Sequence, residues 1–132
     1  WDDEKRLFYF IDTPGGKVTA YHYDMEKAGI AFSHTAAIIR EGVPDGMTID
    51  SEGKIWVAQW GGGCVCRYDP QNGEVLAKIS IPAANVTSCC FGGRNLDTLY
   101  ITTASKAGEP ESGYLFAAEP GIQGLPVNYY VK

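Results

Sequence analysis

The sequence predicts an all-β fold made of β-propeller blades. Its short apolar runs are separated by Gly, Pro, Asn and Asp, which is typical of strands joined by tight turns. Helical periodicity is nearly absent. The runs also recur at a period near 45 residues, and four strands per repeat at that period indicate propeller blades. An immunoglobulin-like sandwich has as many strands but does not repeat internally in this way.

Eleven strands are predicted along the chain, and the turns between them are rich in residues that tolerate a positive φ. The strands cover residues 7–11, 18–23, 30–39, 47–49, 55–60, 64–68, 75–81, 88–91, 99–103, 114–117 and 126–130. The sequences Pro14-Gly15-Gly16 and Gly61-Gly62-Gly63 are two of these turns.

The recurrence of these strands divides the chain into three blades. The runs 7–11, 55–58 and 99–102 occupy equivalent places, at offsets of 48 and 44. The blades then cover about 1–39, 43–83 and 86–131, and the first lacks its innermost strand. Closed propellers have about four to eight blades, so three blades leave two faces uncovered. We therefore expect further blades, from the same protein or from a second chain, to close the ring.

The same arithmetic applies to the sequence Pro44-Asp45-Gly46, which precedes the first strand of the second blade. Residues 1–7 align with residues 49–55 at an offset of 48. The counterpart of Asp45 would therefore lie at 45 − 48 = −3, before residue 1.

Composition excludes several classes of partner. The chain has 132 residues and a net charge of −5, without a cluster of Lys and Arg, which argues against nucleic acid and anionic membranes. No apolar stretch approaches the roughly 20 residues of a membrane span. The cysteines, Cys64-x-Cys66 and Cys89-Cys90, match no zinc spacing. We expect buried, reduced thiols, as in a cytoplasmic protein, with a disulfide or metal pair as the alternative.

Two longer motifs resemble a known family. They are Pro44-Asp45-Gly46-Met47, continued by Ile49-Asp50 and Gly53, and Thr87-Ser88-Cys89-Cys90-Phe91-Gly92-Gly93. In this order and spacing, the sequence is similar to the C-terminal half of the SMP-30/gluconolactonase/luciferin-regenerating (regucalcin-like) family, and the similarity covers essentially the whole chain. The resemblance implies a six-bladed propeller with a divalent cation on its axis, and hydrolysis of sugar lactones.

The resemblance also implies a metal ligand. In the family, the cation is held by a Glu near the N-terminus, an Asn about mid-chain and the Asp of Pro-Asp-Gly. Only the last maps onto this chain, as Asp45; the Asn falls near the position −3, and the Glu lies further upstream. We expect Asp45 to bind calcium, zinc, magnesium or manganese and to act as the catalytic base. The alternative is that Asp45 only caps a turn through its own backbone.

Three further residues are candidates for a substrate pocket. Trp60 stands at a strand end and can stack on a sugar ring, or else pack between blades. Ser88 and Cys89 correspond to Asp45 in the next blade at an offset of 43 or 44, although neither has a His partner that would make it a nucleophile. Asp12, Asp50 and Asp69 are expected to cap turns.

Two functions follow as hypotheses. The first is the C-terminal half of a metal-dependent lactonase that hydrolyses a sugar-acid lactone. The second is a non-catalytic half-propeller that assembles with a second chain into a cation- or ligand-binding ring.

Overall fold

A computed structural model describes residues 1–127, and within this range the protein consists of ten β-strands. They are β1 (Leu7–Asp12), β2 (Lys17–Asp24), β3 (Gly29–Ile38), β4 (Val43–Ile49), β5 (Ile55–Trp60), β6 (Cys64–Tyr68), β7 (Val75–Ser80), β8 (Val86–Gly92), β9 (Thr98–Thr103) and β10 (Leu115–Ala118). The helical part of residues 1–127 is one 3-10 turn, Thr13–Gly15, too short to cross a membrane.

The strands form three antiparallel sheets in which each strand pairs with its neighbour in sequence. The sheet orders are β1-β2-β3, β4-β5-β6-β7 and β10-β9-β8. Every strand overlaps a predicted one, so the prediction of an all-β propeller fold is confirmed. The eleventh predicted strand, 126–130, lies for the most part outside the described residues. The main extension is in β4, which begins at Val43 rather than at residue 47.

The core lies between neighbouring sheets. On β5, Ile55 and Val57 face the first sheet, whereas Trp56 and Ala58 face the third. All four side chains are buried, because the middle sheet is covered on both faces and alternate residues of a strand point to opposite sides. The middle sheet is therefore packed on both of its faces.

The outer faces of the first and third sheets carry exposed apolar side chains. On the first sheet Phe10 is 47% exposed and Phe32 is 66% exposed, and the ring of Phe8 lies 4.6 Å from that of Trp1. On the third sheet Leu115 is 65% exposed. No further sheet of residues 1–127 covers these faces, unlike the two faces of the middle sheet.

One predicted offset is wrong by a residue. In the middle sheet Asp50 N donates to Lys54 O, but in the first sheet Asp2 N donates to Leu7 O, across a turn that is one residue longer. Arg6 accommodates the extra residue with a φ of 53°. Leu7 thus corresponds to Lys54, an offset of 47, and the predicted offset of 48 holds only up to Asp2.

The four cysteines are free thiols. Cys64, Cys66 and Cys89 are buried, as expected, whereas Cys90 is exposed. The sulfurs of Cys64 and Cys66 lie 3.9 Å apart on the same face of β6. Burial among apolar neighbours raises the pKa of Cys89 to about 12, so this thiol stays protonated near neutrality.

Candidate functional site

Asp45 lies in a β-bulge of the innermost strand, β4. Pro44 pairs with Gln59 and Met47 pairs with Val57, so Asp45 and Gly46 together stand opposite one residue of β5. Such a bulge bends the strand and re-aims the extra side chain. Pro44 suits the position before it because Pro has no N–H to contribute to the ladder.

The third sheet repeats this bulge on its own innermost strand, β8. Val86 pairs with Thr103 and Ser88 pairs with Thr102, which leaves Thr87 as the extra residue. The two ladders match when Pro44 is equated with Val86, so Asp45 corresponds to Thr87 and Gly46 to Ser88 (87 − 45 = 42). The predicted correspondence of Asp45 with Ser88 or Cys89, at an offset of 43 or 44, is therefore wrong.

The two bulges are in direct contact. A Cβ placed on Gly46 would lie 2.3 Å from Ser88 Oγ and 2.7 Å from Ser88 Cα, well inside van der Waals distance. Only glycine permits this approach of β4 to β8. The Gly of the Pro-Asp-Gly sequence thus brings the two innermost strands, with Asp45 and Thr87 at equivalent positions, against each other.

The carboxylate of Asp45 is half-buried, and this burial raises its pKa. Among residues 1–127 it has no hydrogen-bond or ion-pair partner. Other aspartates behave differently: Asp24, Asp50 and Asp69 each accept a backbone N–H at 3.0 Å. The alternative in which Asp45 caps a turn is therefore wrong, because no backbone N–H of residues 1–127 reaches its side chain.

The prediction of turn-capping aspartates is confirmed for Asp50 and Asp69 and wrong for Asp12, whose side chain makes no cap hydrogen bond. Asp50 is fully buried. It accepts hydrogen bonds from two backbone N–H groups, from Trp56 Nε1 at 2.8 Å and from Arg67 Nε at 2.7 Å. These four hydrogen bonds occupy the carboxylate of Asp50, so its role is structural.

The structure places the three substrate-pocket candidates, Trp60, Ser88 and Cys89, in different surroundings. Trp60 is 39% exposed at the end of β5. It pairs with Val43 and forms a bridge to Asn85, so it lies where β4 and β8 begin. Ser88 packs on Gly46. Cys89 instead lies in the core between the second and third sheets, where its thiol donates to Trp56 O at 3.4 Å.

Asp45 is a suitable donor for a divalent cation, because it is an unpaired carboxylate and hard cations prefer oxygen ligands. Residues 1–127 hold no group of three or more His, Cys, Asp and Glu side chains arranged around a common point. Asp45 can therefore supply one carboxylate ligand of a metal site, although within residues 1–127 it belongs to no such group.

The chain also matches a family of known proteins. The family described as "SMP-30/Gluconolactonase/LRE-like region" matches residues 1–105, which is most of the chain. The chain belongs to this family. The matched range includes both bulges, at Asp45 and Thr87, and the contact of Gly46 with Ser88.

Individual members of the SMP-30/gluconolactonase family are similar over nearly the whole chain. Regucalcin of Danio rerio is 41% identical over 140 residues, which cover 98% of this chain and 48% of the relative. A Bacillus subtilis (strain 168) protein, provisionally named as a sugar lactone lactonase, is 42% identical and covers 96% of this chain and 47% of the relative. The chain thus spans about half the length of the curated relatives it matches.

Solved structures of the SMP-30/gluconolactonase family share the fold. A luciferin-regenerating enzyme superposes with a TM-score of 0.85 at 31% identity, over 95% of this chain and 45% of that one. A calcium-binding protein, regucalcin, from Agrobacterium tumefaciens superposes with a TM-score of 0.80 at 26% identity, over 91% of this chain and 44% of that one.

Proposed function

We propose that this chain is the C-terminal half of a divalent-cation-dependent hydrolase of sugar-acid lactones. The observation that carries the proposal is the half-buried carboxylate of Asp45, which has no partner among residues 1–127. Membership of the SMP-30/gluconolactonase family and the similarity to a relative named as a sugar lactone lactonase support the substrate class.

In the proposed site, Asp45 has two roles. Its oxygens bind the cation, which is calcium, zinc, magnesium or manganese; a family member named as calcium-binding supports a divalent ion. The bound cation supplies polarisation of the lactone carbonyl and acidification of water. Asp45 would accept a proton from the attacking water as the water oxygen bonds to the carbonyl carbon, and would return that proton to the ring oxygen as the ring C–O bond breaks, which opens the lactone to a hydroxy acid.

Trp60 and Ser88 line the proposed substrate pocket. Trp60 presents a partly exposed indole at the beginning of the bulged strands, where it can stack on the apolar face of a sugar ring. Ser88 sets the spacing between β4 and β8 through Gly46. Cys89 supports the pocket from the core behind β8, through its contact with Trp56 O.

The ring requires further blades. We propose that they cover the exposed outer faces around Phe10 and Phe32 on one side and Leu115 on the other, and that they come from the same protein or from a second chain. Sedimentation of this chain alone, over a range of concentrations, tests the second-chain arrangement. A well-folded monomer at all concentrations would contradict it. We also propose a cytoplasmic location, consistent with the four free thiols.

The test of the proposed activity is hydrolysis of gluconolactone by the intact protein, with each divalent cation added in turn. Asp45→Ala and Asp45→Asn are expected to lower kcat/KM by about 100-fold or more, since both remove a ligand and the base. Asp12→Ala is the matched control, because Asp12 is an exposed aspartate whose side chain caps no turn. Equal rates for wild type and Asp45→Ala would refute the role of Asp45.

A further inference from the structure

We propose that Thr87 Oγ1 binds a hydroxyl group of the lactone, as a hydrogen-bond acceptor beside Asp45. This inference rests on the proposed function and adds a substrate-binding residue to it. Thr87 was not among the candidates from the sequence, because it becomes the counterpart of Asp45 only when the strand register is known.

The position of Thr87 follows from the two bulges. Thr87 is the unpaired residue on β8, as Asp45 is one of the two bulged residues on β4. The contact between Gly46 and Ser88 packs these bulges together, since a Cβ on Gly46 would overlap Ser88. Neighbouring blades related by the same repeat present equivalent residues at the same end of the central channel. Thr87 and Asp45 therefore occupy adjacent places at that end.

The hydroxyl of Thr87 is oriented by its neighbours. Thr87 Oγ1 lies 2.7 Å from Thr102 Oγ1, and Thr102 Oγ1 donates to Ser88 O at 3.5 Å. Either hydroxyl can donate in the 2.7 Å bond, which fixes the position of Thr87 Oγ1. Because a hydroxyl oxygen has two lone pairs, at least one lone pair of Thr87 Oγ1 is free of donors among residues 1–127 in either case.

A free acceptor of this kind complements a polyhydroxylated ligand. A sugar-acid lactone carries several hydroxyl donors, and an acceptor fixed by a second hydrogen bond holds one of them in a defined direction. Thr102 then acts as a positioning residue, because it orients Thr87 without contacting the ligand.

A purely structural role makes a different prediction. Cross-strand Thr–Thr pairs stabilise sheets, and if Thr87 and Thr102 did only this, their loss would lower the melting temperature without changing ligand affinity. Ligand affinity therefore separates the two roles.

The experiment compares Thr87→Val, Thr87→Ser and Thr98→Val in the intact protein. Valine keeps the shape and removes the hydroxyl, serine keeps the hydroxyl, and Thr98 pairs with Gly92 at the opposite end of the same strands. We measure kcat and KM for gluconolactone, calorimetric binding of a non-hydrolysable cyclic polyol, and the melting temperature. Thr87→Val should raise KM and the polyol Kd by about 3- to 10-fold, with kcat within about twofold. Thr87→Ser and Thr98→Val should stay near wild type.

An unchanged KM and polyol Kd in Thr87→Val would overturn the inference, as would an equal rise in Thr98→Val. Asp45→Asn, assayed in parallel, separates this failure from that of the proposed function. If Asp45→Asn is inactive and Thr87→Val binds normally, only the Thr87 inference fails. If Asp45→Asn hydrolyses the lactone like wild type while Thr87→Val weakens polyol binding, the catalytic proposal fails and the binding role of Thr87 is supported.

Discussion

Gly46 lies against Ser88 with no room for a side chain: a Cβ on Gly46 would be 2.3 Å from Ser88 Oγ and 2.7 Å from Ser88 Cα. The contact joins the innermost strands of two sheets, β4 and β8, at the bulges that hold Asp45 and Thr87. The Pro-Asp-Gly sequence therefore places two different roles on adjacent residues. Asp45 provides a carboxylate that has no partner among residues 1–127, and Gly46 permits the close approach of the strands around it.

Gly46→Ala is expected to destabilise the protein by about 1–3 kcal/mol, because the new methyl group overlaps the backbone of Ser88, which cannot rotate away. Urea denaturation measures the change. Gly29→Ala is the matched control, since a Cβ on Gly29 meets no atom within 4 Å. Equal stability of Gly46→Ala and Gly29→Ala would show that the contact between Gly46 and Ser88 has room for a methyl group.

Asp50→Ala is expected to cost about 3–5 kcal/mol of unfolding free energy. The substitution leaves Trp56 Nε1 and Arg67 Nε without their shared acceptor, and Arg67 has a mostly buried side chain. Glu52→Ala is the comparison: Glu52 also pairs with Arg67, at 2.6 Å, but it is exposed, so its loss should cost less than about 1 kcal/mol. A similar cost for both variants would contradict this assignment.

Tyr9→Phe is expected to stabilise the protein by about 1 kcal/mol. The Tyr9 hydroxyl is buried without a hydrogen-bond partner in residues 1–127, and removing such a group removes its desolvation penalty. Thermal and urea denaturation at pH 7 measure the gain. Tyr21→Phe serves as the control, because Tyr21 is only partly buried. A loss of stability in Tyr9→Phe would imply that the hydroxyl has a partner.

The same substitution should change the response to alkali. Burial, followed by the charges of Asp2 and Asp69, raises the pKa of Tyr9 from 10.0 to about 12. Between these values the unfolded chain binds fewer protons than the folded one, so stability falls as pH rises from 10 to 12. Tyr9→Phe should show a shallower decline over this window. Denaturation curves at several pH values measure the unfolding free energy of both proteins. A parallel decline of the two free energies would contradict the prediction.

The strands were predictable from sequence because strand alternation and turn residues act locally. The buried run on β5 and the Asp-capped turns at Asp50 and Asp69 are of this kind. Asp12 also ends a strand, yet it caps nothing, because Thr13-Pro14 leads into a 3-10 turn and Pro14 has no N–H to donate. A single neighbouring residue therefore decides whether an Asp at a strand end caps its turn.

The register was not predictable, because it depends on pairing between strands. Arg6 adopts a φ of 53°, an uncommon choice outside glycine, and this lengthens its turn by one residue. The bulges shift the ladders again, which is why Thr87 rather than Ser88 or Cys89 corresponds to Asp45. Asp45 itself was found through the family motif, whereas its lack of a partner among the described residues is visible only in three dimensions.

Asp45→Asn is expected to raise stability at neutral pH in the absence of divalent cations, while it removes the proposed activity. Burial raises the pKa of Asp45, so the folded state disfavours the ionised form. A group with a raised folded pKa supports folding below its unfolded pKa and loses that contribution as pH rises through the folded value. At pH 7 the wild-type carboxylate therefore opposes folding, and a neutral amide of the same shape does not. Melting temperatures with excess chelator test this; adding the cation should stabilise wild type and leave Asp45→Asn unchanged. A lower melting temperature for Asp45→Asn in chelator would show that the carboxylate supports the fold.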